Sequence, residues 1–237
     1  MRAYTDEDIE AIKQKWSIAE LIHGEIEIDG AVVARLPLVP FTLPSFDTFA
    51  DESLKDHDGA IEALLYRAVR FYSAAEIAEL RRRCAALPAQ VFAILAGDAG
   101  FATGAPARYQ VDAFNASTPP LVLEQAGLDE ATAAKVLADL AGETAKVVSV
   151  RDQDEQVIFG AVLGAPGEGE RHILQKARES KSGMGAAARS AAAGCIRWSS
   201  EELAKVWTRY PAIPVMHLAE TIGDMGGASA TRRFRRG

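Results

Sequence analysis

Apolar residues first recur at helical spacing just after Thr5, which precedes three acids, Asp6, Glu7 and Asp8. Ile9, Ile12, Trp16 and Ala19 fall on one face, with Leu21 and Ile22 closing it, and Gly24 marks a stop. A capping hydroxyl followed by acids, where the helix dipole favours them, predicts a helix start. Alternating apolar residues then flank Asp29-Gly30 across residues 25–33, which predicts a tight β-hairpin, since a type I′ turn wants positive φ at both central positions. Leu36-Pro37-Leu38-Val39-Pro40 carries the chain out of the hairpin in extended form. A helical face follows from about Asp58 to Phe71, made by Ile61, Leu64, Leu65, Ala68 and Val69. Ser73-Ala-Ala-Glu76 is a capping box, with Tyr72 and Ile77 placed as its hydrophobic staple. A short helix broken near Pro88 and another ending at Gly97-Asp98-Ala99-Gly100 complete the pattern.

This punctuation occurs twice. At a constant offset of 126, Ser73 falls on Ser199, Glu76 on Glu202, Pro88 on Pro214, and Gly97, Asp98 and Gly100 on Gly223, Asp224 and Gly226. Apolar positions agree in kind: Ile77 with Leu203, Leu80 with Val206, Leu87 with Ile213, Phe92 with Leu218. The second capping box is Ser199 to Glu202, with Trp198 and Leu203 as its staple. Strand-like runs at 146–150 and 156–159, separated by polar residues 151–155, repeat the hairpin, with Val32 opposite Ile158, Val33 opposite Phe159 and Pro40 opposite Pro166. The expected unit is therefore a helix, a β-hairpin and three helices. Two copies give an α+β, mostly helical protein of two homologous domains, 1–104 and 128–228. A proline-bearing stretch, 105–127, reads as a linker and 229–237 as a basic tail.

Composition adds bounds rather than chemistry. The 237 residues are 49% hydrophobic and 25% charged, ordinary for a globular chain, with aromatics at only 7%, so helix-rich close packing is expected. No run approaches the length of a membrane span, and the acidic start is not a secretory signal. A net charge of −7 argues against broad nucleic-acid binding. The exception is Arg232-Arg233-Phe234-Arg235-Arg236, where a partner with an acidic surface is expected to dock. Cys84 and Cys195 do not correspond in the repeat, so they read as buried free thiols in a reducing compartment.

What repeats is helix capping and core pattern, without reactive groups. His23, His57, His172 and His217 stand singly, without metal-ligand spacing, so no metal or cofactor is expected. Gly164-x-x-Gly167-x-Gly169 lacks the phosphate-loop pattern and carries Glu168 and Glu170, which would repel an anion; it reads as a flexible connection. Asp98 and Asp224 are the acids shared by both halves at a tight turn, a placement that serves chain reversal rather than acid–base work. No catalytic residue is assigned. The candidate partner contacts are Trp16, Trp198 and Trp207 with the terminal Arg232, Arg233, Phe234, Arg235 and Arg236. The competing reading is a bacterial small-ligand-binding protein or enzyme whose site lies in 164–170.

Residues 32–40 and 60–100, anchored on Ser73, Glu76, Leu87, Pro88 and Gly97, resemble the tail assembly chaperones of long-tailed bacteriophages. So do 158–166 and 186–226 in the second half. The resemblance implies a non-catalytic protein that binds tail components (the helical tape-measure protein, tube or baseplate subunits) within a larger complex. It also implies a place in the host cytoplasm during assembly, or in the virion tail or baseplate. Two modules in tandem depart from the single module usual in that family.

Overall fold

The computed structural model describes residues 4–100 apart from 17 and 19, 108–114, 121–140 apart from 125, 145–151 and 156–224. The chain is α+β and mostly helical. Its first half runs α1 (Asp6–Trp16), β1 (Ile22–Ile28), β2 (Ala31–Leu38), α2 (Leu43–Ser53), α3 (His57–Ala68), α4 (Ala74–Arg83) and α5 (Leu87–Asp98). The second half runs β3 (Arg108–Phe114), α6 (Leu121–Glu124), α7 (Glu130–Asp139), β4 (Ala145–Arg151), β5 (Val157–Leu163), α8 (Glu168–Ser180), α9 (Met184–Cys195), β6 (Ile196–Ser199), α10 (Leu203–Arg209) and α11 (Ile213–Asp224). Each half thus carries a helix, a hairpin and four helices in the same order.

Local rules account for most boundaries. Thr5 caps α1 through a bond from the Asp8 N–H, while the Asp8 carboxylate accepts from the Thr5 N–H at 2.9 Å. Asp29 and Gly30 both take positive φ, 52° and 77°, as a type I′ turn requires. Ser73 and Glu76 form the expected reciprocal box at the start of α4, and Tyr72 and Ile77 are both buried beside it. Pro88 sits in the first turn of α5, where a missing N–H costs nothing.

Four expectations change. First, a fourth helix, α2, follows the hairpin: Thr42 and Ser45 cap it reciprocally, Pro44 lies in its first turn, and Phe46 and Phe49 bury its inner face. The capping pair and the i, i+3 phenylalanines were available in the sequence as its signal. Second, residues 105–127 are more than a linker. β3 pairs antiparallel with β4 from Arg108↔Arg151 to Phe114↔Ala145, so the second sheet has four strands in the order β3-β4-β5-β6. Third, 164–170 is only partly a connection, because α8 begins at Glu168 on the Gly167 cap.

Fourth, the second capping box does not form. Ser199 ends β6, opposite Ala161, and donates its hydroxyl to the Glu201 carbonyl; α10 starts three residues later, on Glu202, without a side-chain cap. Trp198 and Leu203 accordingly pack in different clusters rather than as a staple. The strand β6 is what displaces the cap, and β2 shows why the first half has no such strand. Val39 N–H donates to the Ala68 carbonyl at 2.9 Å, and Gly164 N–H donates to the Cys195 carbonyl at 2.8 Å. These equivalent bonds place Pro37 opposite Val162, which is the residue that pairs with Trp198. Proline has no N–H for a ladder, so the chain after α3 cannot add to β2. Ser73→Ala should therefore cost about 1 kcal/mol, and Ser199→Ala less than half of that, which urea denaturation of the two variants will compare.

The same bonds show that the repeat is not ungapped outside its last two helices. The hairpin strands align at an offset of 125, as Leu36 and Leu38 do with Ala161 and Leu163. Counted from their N-caps Thr42 and Gly167, α2 and α8 also align at 125, with buried Phe49 on buried Leu174; Ala60, Leu64, Leu65 and Ala68 of α3 match Ala187, Ala191, Ala192 and Cys195 at 127. Only α4 and α5 keep 126 with α10 and α11.

The first core gathers β1, β2 and α2–α5 around Ile26, Leu36, Leu38, Leu65 and Val91. The second sheet is covered on both faces. Val148, Val150, Phe159 and Ala161 face α8–α11, whereas Val147, Ala145 and Val162 face Leu123, Ala133 and Val136 of α6 and α7. Two-sided burial explains why β5 reads as an unbroken apolar run and why β4 is buried along its length, Lys146 and Ser149 included, while β1 alternates. The halves meet where α2 lies on α9. Asp47 takes Arg189 bidentately at 2.6 and 2.7 Å, and Asp51 accepts the Gly183 and Met184 N–H groups at 2.9 and 2.8 Å. A further bond joins Ala212 N–H to the Ala99 carbonyl at 3.1 Å.

Candidate protein-binding groove

An apolar groove lies in the first half, between the end of α1, the exit of β2 and the outer side of α3. It is a cavity of about 160 Å³ whose floor is Val39, Phe41, Leu64 and Ala68. The Val39–Ala68 bond ties the β2 exit to the last turn of α3 and so fixes that floor. Trp16, the last residue of α1, forms one wall and is 41% exposed. Arg70 stands at the rim with its guanidinium 4.4 Å from the Trp16 ring centroid, and Lys15 approaches the same ring at 5.5 Å.

The remaining polar side chains at the groove are already engaged. Thr42 and Ser45 serve the α2 cap, with Thr42 N–H donating to the Ser45 hydroxyl at 2.8 Å. Arg67 is held by both carboxylate oxygens of Glu52. An apolar floor, an aromatic wall and a cationic rim suit capture of a side chain from another protein. They offer no nucleophile with an adjacent base.

The three tryptophans therefore separate. Trp16 faces solvent over the groove. Trp207, at 9% exposure, lies in the second core, and half-buried Trp198 packs against the α6–α7 cluster. Arg232, Arg233, Phe234, Arg235 and Arg236 lie outside the described residues. Arg70 was missed by sequence reasoning: nothing in the chain links it to the distant Trp16 until the fold brings them together.

Burial raises the Asp98 carboxyl, helped by the charge of Glu20 and opposed by Arg209. Burial likewise raises Tyr210, opposed by the charge of Arg209 and helped by that of Asp98. His217 is fully buried and stacked on Phe159 at 6.1 Å, and burial lowers its pKa to about 3. Cys84 and Cys195 are buried free thiols. Among the described residues no group of histidines, cysteines and acids could hold a metal ion, and no helix is long and apolar enough to cross a membrane. Around the start of α8, Glu168, Arg171, His172 and Gln175 border an open surface depression. Compared with protein-family models, characterised proteins and solved structures, the chain matches none.

Proposed function

We propose that the chain is a non-catalytic protein-interaction protein of bacteriophage tail morphogenesis, a tail or baseplate subunit or an assembly chaperone. It works as part of a larger complex in the host cytoplasm or in the virion. The observation that carries the binding role is Trp16, an aromatic left 41% exposed over an apolar groove and braced by the Arg70 guanidinium. Exposed aromatics seated beside a cationic side chain are the residue types that dominate protein interfaces. The tail assignment rests on the sequence resemblance; its partners are tape-measure, tube or baseplate proteins.

Trp16→Ala should weaken capture of the tail component by roughly 30-fold or more, the usual loss for an interface anchor worth about 2 kcal/mol. Co-purification of the chain with candidate tape-measure, tube and baseplate proteins, wild type against variant, measures this. Undiminished capture would reject the groove as the docking surface. Presence of the chain at fixed stoichiometry in purified particles identifies a resident subunit; its absence from them identifies a chaperone.

A further inference from the structure

We infer that the Trp16 groove takes a carboxylate side chain together with an apolar neighbour, presented by a segment of the partner protein. This rests on reading the groove as a protein-binding surface and specifies what it reads. The internal repeat supplies the reason. The equivalent bonds Val39 N–H to Ala68 and Gly164 N–H to Cys195 align the two halves at this place. Arg70 and Arg197 each follow the acceptor by two residues, and Arg67 and Gly194 each precede it by one. Thr42 and Gly167 are the N-caps of α2 and α8, so Ser45 and Glu170 occupy the same third helical position.

In the second half this groove is filled by the chain's own charges. A Cβ placed on Gly194 would lie 2.3 Å from a carboxylate oxygen of Glu170, and one on Gly164 would lie 2.9 Å from Nε of Arg197. The Arg197 guanidinium also donates to the Gly194 carbonyl at 2.8 Å. An acid and a base thus lie across two glycines where the first half has its open cavity. In the first half the acid is replaced by Ser45, whose short side chain is spent on the α2 cap, while the arginine is retained as Arg70. Arg70 is exposed and, among the described residues, its contact is the face of Trp16. The first-half groove keeps the cation and lacks the carboxylate that its duplicate holds. An acidic side chain from outside completes it, and the floor of Val39, Phe41 and Leu64 receives the apolar residue beside that acid.

The probe is the blocked peptide acetyl-Leu-Glu-Leu-Leu-amide against its Gln-for-Glu isostere, titrated into the full chain while the Trp16 indole N–H is followed by NMR. The Trp198 and Trp207 indoles, both packed in the second half, serve as internal references. The acidic peptide should bind about tenfold more tightly than the isostere, the margin of a charge-assisted over a neutral hydrogen bond. Arg70→Gln should reduce the acidic peptide to the affinity of the isostere. Ser45→Glu should abolish binding of both, because it places the second half's acid in the groove; it also keeps the cap, since Glu is favoured at that position.

Equal affinity of the two peptides, no shift of the Trp16 indole with either, or unchanged binding by folded Ser45→Glu would each overturn the inference. Should Ser45→Glu not fold, Arg70→Gln decides. Loss of partner capture in Trp16→Ala alongside any of those outcomes leaves the protein-binding role standing and removes only the carboxylate. Unchanged capture in Trp16→Ala removes both.

Discussion

Gly160→Ala should destabilise the second half by at least about 3 kcal/mol, the upper range for a forced overpacking in a buried strand. Gly160 is in the middle of β5, and a Cβ there would stand 2.0 Å from the Ala126 carbonyl oxygen and 3.0 Å from its carbon. Both obstacles are backbone. They cannot swing aside like the end of a side chain, because Ala126 is locked in the turn after α6 by its bond to the Leu123 carbonyl. The strand cannot yield either: Gly160 N–H donates to the Ser200 hydroxyl at 2.9 Å, and its carbonyl accepts the Ser200 N–H at 2.8 Å. For a chain of this size the melting temperature should fall by roughly 6–12 °C. Hydrogen exchange should show the loss in β4 and β5 while the first core stays protected. Gly169→Ala is the control: its Cβ would meet nothing within 4 Å, and the helix α8 favours alanine over glycine. A Gly160→Ala protein as stable as wild type would show that α6 does not rest on β5.

Acid should destabilise the protein through His217 by about 1.4 kcal/mol for each pH unit below the ordinary histidine value. Burial lowers its folded pKa from 6.5 to about 3, so between those values the unfolded chain binds a proton that the native state does not. The stabilisation is complete above about pH 6.5 and is lost progressively as pH falls towards 3, several kcal/mol in all. Asp98 acts in the opposite sense. Its folded pKa is raised, so it is protonated first in the native state, and falling pH relieves the cost of burying its charge. Urea midpoints at pH 7, 6 and 5 for wild type and His217→Leu separate the two effects. The variant should be insensitive to pH over this range relative to wild type, since leucine carries no proton to the core beside Phe159. Parallel curves for the two proteins would mean that His217 is protonated without unfolding.

The candidate site was legible only in its parts. Trp16 stood out as a possible contact, and Pro40 and Leu64 belonged to motifs with a local reading. That they border one cavity depends on the bond between the β2 exit and the end of α3, a contact between residues that no periodicity connects. The corrections have the same origin. Ser199 carries a sound capping signature, yet a strand edge made available by Val162, and denied by Pro37 in the first half, claims it instead. Trp16 and Trp207 both lie on helices; burial alone sorts them.

What the sequence determined by itself was the punctuation: where helices start at Thr5 and Ser73, where Asp29-Gly30 turns the chain, and that this order occurs twice. Those features act within a few residues, through a capping hydroxyl, a positive φ or a missing N–H, so neighbours in the chain suffice to specify them. What only the tertiary structure decided was which edges, faces and charges meet. It recruited β3 from an apparent linker, clasped Asp47 to Arg189 between the halves, filled one groove with Glu170 and Arg197, and left the other open beneath Trp16. Such contacts join residues brought together by packing, and their energies depend on burial and on the groups already paired, which no local pattern records.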